Sequence, residues 1–267
     1  VTSIGSVFWR CDALTTVYYA GTEDDREAMT IDDTVITGSG VTWYYNYDGH
    51  PFVDLGLSSG LLWATCNVGA SKPEGYGNYY AWGETKAYGE EDTSNAMNYS
   101  YNSSSSYVKT YYYWDTYKYC NGSMTTMTKY CNNSSYGTVD NIATLELADD
   151  AANANWGGDW RMPTYAEWQE LVDNCSSEWV TDYNGTGVAG CLFTSNNNGN
   201  TLFLPAAGFR SNASLYNAGT HGEYWSSSLY SDFPYGAWSL YFYSSHVNAG
   251  SYSYRCYGQS VRAVRVP

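Results

Sequence analysis

The sequence predicts an α+β domain, two helices laid against a set of β-strands, preceded by a short β-rich module. Three observations predict it. A capping box with an apolar stripe after it marks one clear helix near the middle of the chain. Most of the chain beyond that helix reads as short strands. Residues 1–47 differ from the rest, with apolar residues three apart leading into a β-rich stretch.

In chain order, Phe8, Cys11, Leu14 and Val17 recur at intervals of three, the spacing of a tight solenoid coil entering a strand. Residues 24–29 suffice for one helical turn, and 41–46 read as a short strand. Asp48-Gly49-His50-Pro51 is turn chemistry and divides the chain into 1–47 and 48–267. Residues 52–57 and 61–65 read as a hairpin around Ser58-Ser59-Gly60. Residues 93–137 are dense in Tyr, Asn and Ser with weak periodicity, and read as a long surface excursion. A first helix is expected over 143–153. The second comes after Pro163, with Thr164 as N-cap and Glu167 completing the capping box. Trp168, Leu171, Val172 and Cys175 form its buried stripe. Strands are expected at 202–204, 224–227, 238–243 and 260–266.

Composition narrows the function. Twelve Lys and Arg against 27 Asp and Glu give the 267 residues a net charge of −15, which repels nucleic acid and anionic bilayers. Thirty tyrosines accompany 11 Trp and 7 Phe. Tyrosine tolerates half-exposure because its hydroxyl stays wet, and with Ser, Gly and Asn it composes contact surfaces. No apolar run is long enough to insert in a membrane. No signal peptide is present, and the chain opens in mid-pattern at Val1, so it reads as a fragment of a longer protein. The seven cysteines, at 11, 66, 120, 131, 175, 191 and 256, form no CxxC and no metal spacing, and read mostly as buried thiols.

Several ordered motifs carry a resemblance. The run from Trp156 through Trp160-Arg161-Met162-Pro163-Thr164 to Glu167-Trp168 is similar to the W-R-L-P-T-x-A-E-W run of the formylglycine-generating-enzyme branch of the C-type lectin fold. With Val53-Asp54-Leu55-Gly56-Leu57, Tyr79-Tyr80-Ala81-Trp82-Gly83-Glu84, Leu204-Pro205-Ala206-Ala207-Gly208, Tyr224-Trp225-Ser226-Ser227 and Ser260-Val261-Arg262, the chain resembles the Fibrobacter-type major paralogous domain of Bacteroides-like gut bacteria over about 52–267. The resemblance implies a C-type lectin fold of two helices, a small twisted antiparallel sheet and long loops. Residues 8–22 resemble the last repeat of a BspA-like leucine-rich repeat array, which implies a surface protein.

Residues 211–257 carry the functional signal. Alternation in Trp238-Ser239-Leu240-Tyr241-Phe242-Tyr243 puts Trp238, Leu240 and Phe242 inside, and Ser239, Tyr241 and Tyr243 outside. Lys and Met are absent from 211–257, Glu occurs once, as Glu223, and Trp only as Trp225 and Trp238. That alphabet resembles the variable region of diversity-generating-retroelement proteins, in which randomised Asn codons exclude Trp, Lys, Gln, Glu and Met. The fitting positions are Tyr216, His221, Tyr230, Ser231, Asp232, Phe233, Tyr235, Gly236, Ser239, Tyr241, Tyr243, His246, Tyr252, Ser253, Tyr254 and Tyr257. Glu223 does not fit and would be fixed or differently encoded. These positions are expected to contact a protein or glycan on another cell or surface, from an extracellular or cell-surface molecule of bacterial or phage origin. The alternatives are a fixed adhesive or structural cell-surface module and, more remotely, a sulfatase-modifying-type enzyme.

Catalytic readings find little to rest on. His50, His221 and His246 sit in no HExxH or nucleophile-elbow context, and His50 reads as a boundary residue. Cys256 has no close partner for formylglycine-type chemistry. Glu90-Glu91-Asp92 and Asp149-Asp150 read as solvated faces. The Glu-Pro-Asn, Gln-Pro-Asp and Trp-Asn-Asp motifs of calcium-dependent lectins do not occur. No catalytic residue, metal ligand or cofactor is therefore expected.

Overall fold

A computed structural model describes residues 3–5, 11, 14, 16–19, 21, 23–33, 35–37, 40–47, 49–91, 100, 101 and 107–266. The described residues are mostly β: 38% strand against 13% helix, the strands distributed over several small sheets. The described α-helices are Glu23–Glu27, Ala151–Trp156 and Tyr165–Asn174. The expected α+β, C-type lectin architecture is thereby overturned. Only one described helix exceeds two turns, and the strands do not gather into one sheet.

The Tyr165–Asn174 helix forms as its sequence dictates. Thr164 Oγ1 accepts from the Glu167 N–H at 3.3 Å, and Glu167 Oε2 accepts from the Thr164 N–H at 2.7 Å. Arg161 then clamps the Glu167 carboxylate with both guanidinium nitrogens, at 2.8 and 2.6 Å. That guanidinium and the capping N–H hold the carboxyl of Glu167 below its ordinary value despite its burial. Trp168 and Leu171 are fully buried.

The other helix is displaced. Instead of spanning 143–153 it runs Ala151–Trp156, because Asp150 caps it, accepting from the N–H groups of Ala152 at 2.8 Å and Asn153 at 3.1 Å. Nor is the Asp149-Asp150 pair a solvated face. Both are buried, and Asp149 accepts from Lys129 Nζ at 2.6 Å and the Tyr130 hydroxyl at 2.7 Å.

The largest sheet runs Arg262–Arg265, Leu62–Asn67, His50–Asp54, Thr42–Tyr47 and Thr16–Tyr19. The expected hairpin is its centre. Segments on both sides of the 47/48 division pair in it, since Thr42–Tyr47 lies antiparallel to His50–Asp54. Two parallel pairings occur near the start: Ser3 faces Thr30, and Thr16 faces Thr42. Phe8 lies outside the described residues; Cys11 is exposed, and Leu14 and Val17 are half-buried.

Residues 107–137 depart most from expectation. They have little regular structure, but they are no surface excursion: Tyr112, Trp114, Tyr117, Cys120, Met127, Tyr130 and Cys131 are all buried in the larger of two core clusters. Tyrosine can enter a core when its hydroxyl finds an acceptor. Here Tyr112 donates to the Tyr79 carbonyl at 2.5 Å, Tyr117 to the Trp82 carbonyl at 2.7 Å, and Tyr79 to the Ala207 carbonyl at 2.6 Å. Phenols thus hold loop backbone that no strand partner holds.

The fully buried Arg255 closes this core. It donates to the carbonyls of Tyr130 at 3.0 Å, Pro234 at 2.8 Å and Lys129 at 3.0 Å, and to the Tyr117 hydroxyl at 2.9 Å. Its guanidinium lies 4.8 Å from the Trp82 ring centroid. Arg255→Ala is expected to lower stability by about 3 kcal/mol, through stranded carbonyls and a cavity. Thr164→Ala should lose about 1 kcal/mol from one cap. Urea denaturation measures both; equal losses would mean that Arg255 does not hold these loops.

Candidate ligand-binding face

The longest strands, His221–Leu229, Gly236–Tyr243 and His246–Tyr254, pair consecutively as an antiparallel meander. Tyr224, Leu240, Phe242 and Ala249 point to the smaller core cluster, where Trp168 and Leu171 of the helix meet them. Gly222 makes room for this: a Cβ there would come within 2.0 Å of the Phe242 ring. The other parity faces outward. Glu223 lies opposite Tyr241, and Tyr243 opposite both His221 and His246.

Most of the expected contact residues reach the surface. Tyr216, Ser231, Asp232, Phe233, His246 and Tyr252 are exposed, and His221, Tyr230, Tyr235, Tyr241, Tyr243, Ser253, Tyr254 and Tyr257 half-buried. Ser239 is buried, against expectation. Ser239 lies opposite Trp225 and shares its face with Ala237, both buried in the larger core cluster, so this end of the outer parity meets core instead of solvent. Trp238, expected inside, is only half-buried. It stacks on Tyr165 at 4.3 Å and meets Tyr230 edge-on at 4.6 Å.

The rings touch one another. Tyr216 packs on Phe209, Phe209 on Tyr257, Tyr257 on Tyr254 and Tyr254 on Tyr235, with centroids 5.4–5.7 Å apart. The series continues through Phe233 to Tyr230, which stacks on Tyr252 at 4.3 Å. Gly236 permits that last contact, because a Cβ would lie 2.9 Å from the Tyr252 ring. A second group joins His221, Tyr241, Tyr243 and His246 at 5.3–6.3 Å.

Between the groups lies a cleft of about 260 Å³. Phe209, Tyr252 and Tyr257 line it from the first group and Tyr241 from the second, together with Ser239, Ser251, Ser253 and Glu223. Glu223 Oε2 accepts from Gln259 Nε2 at 3.0 Å. Burial alone raises its carboxyl to about 7. Burial, and next the Glu223 charge, raise the Tyr241 phenol.

Residues 188–264 match a family described as a domain of unknown function (DUF8237). No curated protein and no solved structure matches the chain. The matched stretch includes the whole meander, all of the described cleft wall and the segment of Arg255.

Elsewhere the structure relocates other residues. Cys256 is fully buried, and burial drives its thiol far above its ordinary value, away from a nucleophilic thiolate. His50 stacks on Trp156 at 3.9 Å in a separate hollow of about 750 Å³, also lined by Tyr19, Tyr183 and Lys72. None of the expected contact residues lines that hollow. Among the described residues, no group of three or more His, Cys, Asp or Glu is placed to hold a metal ion. No helix among them is long and apolar enough to cross a membrane.

Sequence reasoning left Glu223, Phe209, Ser251 and Tyr165 out of the site. Glu223 was within reach: it shares strand parity with His221 and precedes the buried Tyr224. Phe209 and Tyr165 come from segments that only folding brings to the meander.

Ionising Glu223 in the folded state is costly, so its contribution to stability is greatest below about pH 4.5. It falls as pH rises toward about 7 and levels off above. Glu223→Gln should therefore be more stable than the parent at pH 8, by on the order of 2 kcal/mol, and nearly equal at pH 4. Urea midpoints at the two pH values measure it, and a constant difference would contradict the burial argument. Among the rings, Tyr254→Ala removes contacts to Trp114, Tyr235 and Tyr257 and should cost about 1–2 kcal/mol. Ser231→Ala should stay within about 0.5 kcal/mol by thermal unfolding.

Proposed function

We propose that this chain is a ligand-binding protein presenting the aromatic side of the meander, and that 211–257 is its variable region, diversified by a retroelement. One observation carries the reading. Of the positions that share the restricted alphabet, all but Gly236 and Ser239 lie at least partly at the surface, and their rings pack in two groups on either side of the cleft. Trp225, Leu240 and Phe242, which are not among those positions, are wholly buried, while Trp238 is half-buried.

That partition suits a face that varies on a frame that does not. Tyrosine gives large, stiff contact area with few torsions to freeze, and Ser and Asp supply adaptable polar contacts. Substitutions on the outer parity leave the inner parity, and so the core, in place. The partner is a protein or glycan met outside the cell. The leucine-rich-repeat resemblance of the first residues adds a surface-displayed setting. The parallel pairings there, offset by 27 and 26 residues, agree with one turn of a solenoid.

The half-burial of Tyr235, Tyr254 and Tyr257, which also pack on Tyr136, Trp114 and Phe209, favours the second reading, a fixed adhesive or structural surface module. The encoding DNA decides between them. Diversification requires a near-copy of the 3′ end with Asn codons at the Tyr and Ser positions, beside a reverse-transcriptase gene. Sequences from sibling isolates should then differ at those codons and not at Trp225, Leu240 or Phe242. Absence of the repeat leaves the fixed module.

A further inference from the structure

We infer that the cleft between the two aromatic groups takes a guanidinium, an arginine side chain presented by the ligand. The inference rests on the binding-face reading and adds to it the chemistry of one subsite. Two observations point the same way. Glu223 is the only carboxylate among the described residues lining the cleft, and its pairing inside the protein is with the neutral amide of Gln259. The nearby arginines are engaged elsewhere: Arg210 lies over the Tyr88 ring at 3.9 Å and Arg255 over Trp82. A half-buried carboxylate without a countercharge is a costly arrangement that a cationic ligand relieves.

The second observation is the walls. Tyr241, Tyr257 and Phe209 are aromatic residues of the cleft, whose ring faces attract cations, while Ser239, Ser251 and Ser253 add oxygens that accept from N–H groups. A planar guanidinium suits both at once. It stacks on rings, forks onto a carboxylate and donates in its plane to hydroxyls. The net charge of −15 adds a long-range field that draws a cationic partner.

The test titrates N-acetyl-arginine amide into the folded chain by NMR of the tyrosine rings. Its uncharged isostere N-acetyl-citrulline amide and a methyl glucoside serve as parallel probes. Saturable binding of the arginine derivative on the order of millimolar is expected, with neither neutral probe competing. Glu223→Gln should weaken it about tenfold or more while near-ultraviolet circular dichroism stays that of the parent. Tyr241→Ala, at the half-buried ring directly opposite Glu223, should weaken it about threefold or more with the fold kept. Citrulline or glucoside binding as tightly as arginine, or Glu223→Gln binding arginine unchanged, overturns the inference. The two readings fail separately. A 3′ repeat without arginine binding removes the guanidinium subsite and leaves the variable face, whereas arginine binding without a repeat leaves the subsite on a fixed module.

Discussion

The guanidinium of Arg255 is the interaction on which the rest of the molecule leans. It is charged, fully buried, and ties Lys129–Tyr130, which pairs with neither, to Pro234 and to the end of the last long strand. Five donors in a rigid fork suit it to this task, since each carbonyl it reaches would otherwise be stranded in a dry interior. The Trp82 and Tyr117 rings beside it supply attraction that replaces some of the lost hydration. The loop carrying Tyr230 to Tyr235 is therefore anchored from beneath while its rings stay at the surface.

The same economy explains the tyrosine content. Tyrosine serves two purposes here, and its environment decides which. In 107–137 the phenol enters the core and ends on a backbone carbonyl, in place of ladder hydrogen bonds that irregular chain cannot make. In 230–257 the rings lie on one another at a partly exposed surface. A face built from mutually packed rings is stiffer than isolated side chains on a loop. It enters binding having already lost much of the conformational freedom that association would remove. The cost is coupling, because ring positions in contact cannot vary independently of stability.

Glu223 stands apart from both uses. The outward parity of its strand exposes it to the cleft, yet the flanking rings keep water scarce enough to raise its carboxyl toward neutrality. Groups held away from their ordinary protonation by burial alone, in a hollow, mark places where a ligand changes the balance. An uncompensated carboxylate among aromatic rings contributes little to folding; its use lies in what it meets.

Short-range patterns were enough for several features. The capping box at Thr164 and Glu167, the hairpin over 50–67, and the burial of Leu240 and Phe242 opposite Tyr241 and Tyr243 all arise from spacings of two to four residues. Backbone geometry converts such spacings directly into facing. Other features depend on residues far apart in the chain. Ser239 is buried because its face of the sheet meets the larger core beside Trp225, Asp149 and Asp150 because donors outside their own segment reach them, and the 107–137 stretch because Lys129 and Tyr130 meet an arginine more than a hundred residues away. The α+β expectation failed because which strands pair, and into how many small sheets, is decided by segments far apart in the chain. Irregular chain that looks like surface loop becomes core once tyrosine hydroxyls find carbonyls, and no local period reports which carbonyls those are.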